Sequence, residues 1–176
     1  MLRCGIGIDM RPFDKKRELI LGGTKIENQS GLAGGFDADV LSLAVCDAVL
    51  GAANLGDVHY LFAPDDAKYK DFSGLKLLEF IRIKLAKTSF VIENVDVSLL
   101  CNKFEIAPYK TYMILNLSRA LDLDPGRISI KYSSPLCRLL SSEKAGISAL
   151  CVCSLFEFDD TEVEPEVADG EEEFYE

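Results

Sequence analysis

The sequence of 176 residues contains a single histidine, His59. It has no uninterrupted apolar run of the ~18 residues that a membrane-spanning helix needs. Its first residues lead directly into strand-like sequence, without the apolar segment of a secretory signal peptide. We therefore expect a cytoplasmic protein that does not bind membranes. Apolar residues make up 48% of the chain, which is enough for one folded domain with a sizeable core.

Positive charge is missing from the C-terminal end of the chain. Residues 157–176 hold 11 aspartates and glutamates and no lysine or arginine. Subtracting these 11 from the chain's 29 acidic residues leaves 18, against 19 basic residues, so residues 1–156 are nearly neutral. Neither part has the clustered lysine and arginine of a nucleic-acid-binding protein.

An acidic run that is broken by proline and glycine cannot bury a core. We therefore expect residues 1–158 to form the domain and residues 159–176 to form a disordered acidic tail. The alternative for the tail is a short docking motif that ends in Phe174-Tyr175, for which the sequence names no partner.

The six cysteines are an even number, but disulfides are not expected in a chain without a secretory signal. Cys151 and Cys153 lie two positions apart in a strand-like run and therefore share one face. We expect reduced core residues, because free cysteine is among the most often buried residue types. A metal site formed by these two with Cys101 is the alternative.

Hydrophobic periodicity predicts a mixed α/β protein. The predicted strands are residues 2–10, 18–26, 91–102, 127–132 and 146–158. The predicted helices are residues 38–53, 73–87 and 109–122. Asp37 and Ser73 are the candidate N-caps of the first two helices. This order of elements predicts the α+β class, as a two-layer α/β sandwich.

The first and last strands differ in how their apolar residues alternate. In residues 2–10 the even positions are apolar and the odd positions hold Arg3, Gly5, Gly7 and Asp9, so we expect the even positions to be buried. In the last strand both faces are apolar over Cys151–Phe156. A strand buried on both faces in so small a domain indicates packing between subunits.

Five stretches agree in order and spacing with one known family. They are GIGID, ELILGGTKI, GLAGGFDADVLSLAVCDAVLGAANLGDVHYLF, NVDVSLL and RISIKYSS. They resemble the 2-C-methyl-D-erythritol 2,4-cyclodiphosphate synthase family of isoprenoid biosynthesis. The resemblance covers nearly all of residues 3–156. It implies a mainly four-stranded mixed sheet with helices on one face.

The resemblance also implies a homotrimer with active sites between neighbouring subunits. The family's enzymes are phosphorus–oxygen lyases that close a cyclic diphosphate and release CMP. They use zinc, held by an aspartate and two histidines, and a second ion, magnesium or manganese, held by a glutamate. Cations suit this reaction because it brings several negative charges together.

Carried over residue by residue, the resemblance implies a degenerate metal site. Asp9 keeps the family aspartate, whereas Arg11 and Gly35 stand in the places of the two histidines and Leu136 in that of the glutamate. Glycine has no ligand atom, and a guanidinium stays protonated. Asp9 then remains as a single remnant ligand, whereas a zinc site has three or four protein ligands. We therefore expect no cofactor.

Other positions of the family site differ as well. Glu105 puts a carboxylate in the nucleotide pocket where the family has a lysine, and Glu143 replaces an arginine near the trimer axis. Ser133 and Ser134 are the residual catalytic candidates, through their hydroxyls. The candidate cleft and ligand residues are Asp9, Arg11, Asp37, Asp57, His59, Ser133 and Ser134.

Two of these residues have alternative interpretations. A lone histidine beside a turn is usually a surface or packing residue, but His59 could join Asp9 and Asp37 in a relocated metal site. Arg11 could close the site through a bidentate pair with Asp9. Alternatively, it could bind an anion such as a phosphate.

These observations leave three hypotheses for function. The first is a divergent family member without the family's activity, which serves as a trimeric binding or scaffold protein for an anionic small molecule. The second is an active cyclodiphosphate synthase with a rearranged site. The third is an enzyme or sensor for another phosphorylated ligand in the same interfacial cleft.

Overall fold

The computed structural model describes residues 1–63, 68–69, 72–101, 105–133 and 146–158. Its strands are β1 (Leu2–Leu21), β2 (Thr24–Leu32), β3 (Phe90–Leu100), β4 (Ile128–Ser133) and β5 (Gly146–Glu157). Its helices are α1 (Val40–Ala52), α2 (Val58–Leu61), α3 (Gly74–Leu85) and α4 (Lys110–Leu121), with 3-10 turns at Ala107–Tyr109 and Pro125–Arg127. The predicted tail, residues 159–176, lies outside the described residues. No described helix is long and apolar enough to cross a membrane.

The strands form one mixed sheet in the order β2-β1-β5-β3-β4. Of the strands that the structure describes, only β3 and β4 pair in parallel; the other neighbours are antiparallel. Helix α1 packs on β1 and β5, and α3 and α4 pack beside it. The predicted mixed two-layer fold with its helices on one face is therefore confirmed, but the described sheet has five strands rather than four.

One edge of the sheet is the hairpin of β1 and β2. The predicted strand 18–26 is wrong as a unit, because β1 runs on for 20 residues to Leu21. Gly22 and Gly23 then form the turn, with φ angles of +53° and +64°. A two-residue hairpin turn with positive φ at both positions favours glycine, because glycine has no Cβ to clash.

Helix α1 begins at Val40, two residues later than predicted, and its N-cap is Asp39 rather than Asp37. The Asp39 side chain accepts hydrogen bonds from the Leu41 and Ser42 N–H groups. The Asp37 carboxylate instead accepts from the N–H groups of Asp39, at 3.3 Å, and Gly74, at 3.0 Å. Ser73 caps α3 as predicted, through the Lys76 N–H.

The fully buried Asp39 carboxylate also ties the β1–β2 hairpin to α1. It accepts hydrogen bonds from the N–H groups of Gly22, at 2.9 Å, and Gly23, at 2.8 Å, and from the Ser42 hydroxyl, at 2.7 Å. Burial, with the charge of Asp37, raises the pKa of the Asp39 carboxyl to about 6 against these hydrogen bonds. Asp39 thus joins the hairpin turn and the start of α1 in one buried hydrogen-bond network.

The N-terminal half of β1 faces the opposite way from the prediction. Gly5 and Gly7 are buried under α1: a Cβ on Gly7 would lie 1.9 Å from the Ala44 carbonyl oxygen, and one on Gly5 2.1 Å from that of Ala48. The helix rests directly on the strand backbone. The side chains at positions 2, 4, 6, 8 and 10 therefore point away from the core.

We call the resulting apolar surface the outer face. It is formed by alternate residues of β1 and β5, which are Leu2, Ile6, Ile8, Met10, Leu150, Val152 and Phe156. The four β1 members are 61% to 70% exposed in the single chain. Cys4 is exposed on the same side, whereas Cys46, Cys101, Cys151 and Cys153 are buried in the core, as predicted for the last two.

Gly7→Ala should lower the free energy of unfolding by about 1–3 kcal/mol, because overpacking against backbone forces the helix and strand apart. Gly51→Ala is the matched control. Gly51 lies in α1, and a Cβ added there would meet no atom within 4 Å. The change should therefore raise the free energy of unfolding by about 0.5–1 kcal/mol, because alanine is the better helix former. Denaturant unfolding of both variants measures the difference. Equal effects of the two changes would contradict the close approach.

Stability should fall as the pH rises from about 4 to about 6. An aspartate in an unfolded chain has a pKa of about 3.9, and that of folded Asp39 is about 6. Between these values the folded state holds a proton that the unfolded state has lost, so a rise in pH favours unfolding. The free energy of unfolding should fall by on the order of 2 kcal/mol over this range. Denaturant unfolding across this range measures it.

Asp39→Asn should flatten this pH dependence and lower stability by about 1–3 kcal/mol, since an amide nitrogen then faces buried donors. Asp122→Asn is the control: Asp122 is exposed at the end of α4 in a left-handed conformation that asparagine tolerates. It should leave the slope unchanged. An unaltered slope in Asp39→Asn would assign the pH dependence to other groups.

Candidate functional site

Asp9 and Arg11 form an ion pair on the inner side of β1, beyond the two glycines. The Arg11 Nε donates to Asp9 Oδ2 at 2.8 Å, and the side chains of Arg11 and Asp9 are 12% and 19% exposed, respectively. Asp9 Oδ1 accepts from the Met10 N–H at 3.0 Å. The described contact is through one nitrogen, Nε, rather than through the two nitrogens of a bidentate pair.

The loop before α1 packs against this pair. A Cβ on Gly34, where φ is +139°, would lie 1.7 Å from Arg11 Nη1, so only glycine leaves room for the guanidinium. Arg17 holds the loop from the other side, donating to the carbonyl oxygens of Gly34 and, at 2.7 Å, Phe36. Gly35 lies in this loop as predicted and supplies no side chain.

Asp47 of α1 is hydrogen-bonded to the start of α2, the helix that Asp57 caps and that contains His59. Asp57 caps α2 by accepting from the Tyr60 N–H at 2.8 Å, and Asp47 accepts from the Val58 N–H at 2.8 Å. Burial raises the pKa of Asp47; the charges of Asp57 and Asp9 raise it further, and that of His59 lowers it. Asp57, His59 and Asp9 are therefore charged groups that act on the Asp47 carboxyl.

Asp47 is not among the predicted cleft residues. It occupies a helical-spacing position inside the otherwise apolar stripe of α1, and that interruption is the signal in the sequence that could have found it. Asp37, by contrast, is a predicted cleft residue. It is occupied with the N–H groups of Asp39 and Gly74, and burial raises its pKa.

Several predicted positions cannot be placed in the site. Ser133 ends β4. Ser134, Leu136, Glu143 and the Lys103-Phe104 pair lie outside the described residues.

A cavity of about 580 Å³ lies beside β4, where the resemblance places the nucleotide pocket. Its size suits a small-molecule ligand. The residues that line it are Glu105, Ile106, Ala107, Lys110, Ile130, Lys131 and Tyr132. The carboxylate of Glu105 thus shares the cavity with two lysines, of which Lys131 also pairs with Asp96.

The residues of the described chain do not fit a zinc site of the family type. Within the described ranges, no three histidine, cysteine, aspartate or glutamate side chains are grouped to hold a metal. The relocated site of Asp9, Asp37 and His59 is not formed, because Asp9 pairs with Arg11 and Asp37 with backbone N–H groups. The alternative site of Cys101, Cys151 and Cys153 is not formed either.

Comparison with known proteins assigns the chain to one family. The YgbB family model matches residues 2–156. A 2-C-methyl-D-erythritol 2,4-cyclodiphosphate synthase of Chlorobium luteolum is 42% identical over 86% of this chain and 98% of its own length. The synthase of Lachnospira eligens is 38% identical over 88% of this chain and 84% of its own length.

Solved structures agree with the fold. The bifunctional IspDF of Campylobacter jejuni superposes with a TM-score of 0.81 and 31% identity over 90% of this chain and 43% of that protein. IspF of Plasmodium falciparum, solved as a CDP complex, gives a TM-score of 0.75 and 25% identity, over 90% of this chain and 97% of that one.

These comparisons overturn the expectation that no cofactor is needed. The relatives are named as synthases, and the resemblance implies zinc with magnesium or manganese for that family. The expectation rests on substitutions at a few positions, whereas the matches extend over most of the chain. With the family model spanning residues 2–156 and relatives up to 42% identical, the chain belongs to the YgbB family, that of the 2-C-methyl-D-erythritol 2,4-cyclodiphosphate synthases.

Proposed function

We propose that the protein is a 2-C-methyl-D-erythritol 2,4-cyclodiphosphate synthase with a rearranged site. Its reaction would be the family's cyclisation, in which one phosphate attacks another and CMP leaves. The observation that carries this proposal is 38–42% identity, over 86–88% of the chain, to proteins with that name. The Asp47 carboxylate with its charged neighbours and the cavity beside β4 support the proposal as candidate parts of a substrate site.

The proposed roles follow from the chemistry of the described side chains. Asp57, in the Leu55-Gly56-Asp57 turn, would accept hydrogen bonds from the hydroxyls of the erythritol portion, as the resemblance implies. Asp47 lies beside it and offers a second carboxylate. The cavity beside β4 would take the nucleotide, with Lys110 and Lys131 near its phosphates.

Assembly as a homotrimer is part of the proposal, because the family's sites lie between subunits. The outer face supports it: seven large apolar side chains of two neighbouring strands are exposed together in the single chain. A contiguous apolar surface of this kind marks a protein interface. A closed ring of three copies would cover this face on each subunit.

A second candidate function is a trimeric ligand-binding protein without this activity. The Asp9–Arg11 ion pair favours it, because the carboxylate that the resemblance assigns to the metal is already bound to a guanidinium. Removing one group that stabilises a transition state lowers a rate by about 10²–10³. The same cleft could then hold another phosphorylated ligand.

Steady release of CMP from the family's substrate, supplied with zinc and magnesium, is the expected result for the purified protein. Asp9→Asn should lower kcat by about 10²–10³, because it removes the charge next to Arg11. Asp122→Asn, far from the site at the end of α4, is the control and should keep the rate. Absence of CMP, with the substrate still raising the melting temperature, would select the second candidate.

Light scattering should show a trimer at micromolar concentration. Ile8→Glu puts a charge in the middle of the outer face and should shift the protein to smaller species, because a buried unpaired charge is unfavourable. Ile83→Glu makes the same change on α3, where Ile83 is exposed among the helices. This control should remain trimeric. A monomeric wild type, or an Ile8→Glu variant that stays trimeric, would contradict the proposed interface.

A further inference from the structure

The exposed side of α3 carries lysines and large apolar side chains in one stripe. Helical spacing places residues three or four positions apart on the same side. The exposed residues of α3 and of the turn after it follow that spacing, and we call them the α3 face: Lys76, Glu79, Phe80, Ile83, Lys84 and Lys87. Phe80 is 41% exposed and Ile83 51%. The helices lie on the side of the sheet opposite to the outer face, so the proposed trimer would leave the α3 face open.

The α3 face has a positive charge. It holds three lysines, Lys76, Lys84 and Lys87, and one carboxylate, Glu79. Within the described part of the chain, none of these lysines forms an ion pair. The neighbouring cation of α3, Arg82, differs from them, because Asp122 of α4 lies 3.6 Å from it. Positive charge is therefore left without a described partner along the length of the helix.

Phe80 is the exposed member of a group of packed rings. It stacks on Phe72 with 5.5 Å between the ring centroids, and Phe72 contacts Tyr69 edge-on at 5.4 Å. The Nζ of Lys76 lies 4.1 Å from the centroid of the Phe72 ring. The N-terminal part of the α3 face thus combines aromatic surface with a cation, which suits a further aromatic ring that has carboxylates beside it.

The described chain ends beside the C-terminal part of the α3 face. The Phe158 N–H donates to the Ser89 carbonyl oxygen at 2.9 Å, and Ser89 follows Lys87 by two positions. The segment that continues from Phe158, residues 159–176, therefore starts next to the end of α3. It lies beyond the part of the chain that the family model matches, residues 2–156.

The composition of residues 159–176 complements the α3 face. The segment has ten aspartates and glutamates and no lysine or arginine. Its last residues are three glutamates followed by Phe174, Tyr175 and Glu176. Carboxylates and aromatic rings thus occur together in it, as cations and aromatic rings do on the helix.

The length of the segment suits the length of α3. Helix α3 has 12 residues, so it is about 18 Å long. A flexible coil of the segment's 18 residues has an end-to-end distance of about 23 Å, and its full extension is about 60 Å. A tether whose coil length is near the distance to be spanned gives the highest effective concentration for binding within one chain.

We infer that residues 159–176 bind to the α3 face of their own subunit. The segment runs from the C-terminal toward the N-terminal end of α3. Its carboxylates pair with the three lysines, and Phe174 and Tyr175 pack on Phe80. Each exposed ion pair is weak, but the pairs and the ring contact form together because one chain carries both partners. The inference is independent of the proposed activity.

Carbodiimide cross-linking of the full-length protein tests this contact, because the reagent joins lysine amines to carboxylates that touch them. Mass spectrometry should find residues 159–176 linked to the lysines of the α3 face. Lys15 and Lys16 are the reference lysines. They are exposed in β1, beyond the end of that strand that pairs with the start of β5. Links that are as frequent at these two positions as on the α3 face would overturn the inference.

Protection of the segment from a protease that cleaves after glutamate gives a second measurement. The double change Lys84→Glu with Lys87→Glu should speed loss of the segment by about 3–10-fold, the effect of losing two exposed ion pairs. Lys15→Glu with Lys16→Glu is the matched control and should leave the rate unchanged. High salt should speed the loss in the wild type, because it screens exposed charges. Equal rates in the wild type and in the Lys84→Glu, Lys87→Glu variant would overturn the inference.

The ring contact is tested by a double-mutant cycle on the same rate. Phe80→Ala and Phe174→Ala should each speed loss of the segment, and their combination should do little more than either alone. Additive effects would overturn the contact. Cross-links between unlabelled and isotope-labelled copies in mixed oligomers would overturn the assignment to the same subunit.

Discussion

The direct contact between α1 and the backbone of β1 determines most of this structure. Gly5 and Gly7 let the helix rest on the strand, at distances that no side chain would permit. Because residues alternate along a strand, this contact fixes which side every other β1 residue faces. Asp9 and Arg11 follow Gly7 on the same side, beyond the contact, and β1 returns to the core at Leu19 and Leu21. The site therefore begins where the helix packing stops.

The same contact explains the outer face. With glycines toward the helix, the large apolar residues in the N-terminal half of β1 point away from it, next to those of β5. The prediction that they are buried assumes that the apolar side of an alternating strand faces the chain's own core. That rule fails here because the core side is filled by backbone and helix. In the proposed trimer these residues are buried by other copies instead.

Fold and site differ in how far the sequence predicts them, for physical reasons. Long periodic segments such as α1 and α3 are predicted well, and so is the Ser73 cap. The hairpin is missed because two glycines can either weaken a strand or end it, and only the positive φ angles decide. For the candidate site residues Asp9, Asp57 and His59 the prediction stays a prediction. Asp47 is missed, because helical periodicity counts a carboxylate on an apolar stripe as a packing exception.

Family identity and local chemistry depend on different residues. Identity of 38–42% weighs each aligned position equally, whether it serves packing or chemistry. Catalysis depends on a few side chains that contribute little to that number. Arg11 belongs both to the packing and to the candidate site. Its guanidinium fits because Gly34 has no side chain and because Asp9 accepts a hydrogen bond from its Nε. Asp9, Arg11 and Gly34 thus fix one orientation of the guanidinium. Their consistency indicates that the three residues form one arrangement rather than that Arg11 is an isolated substitution.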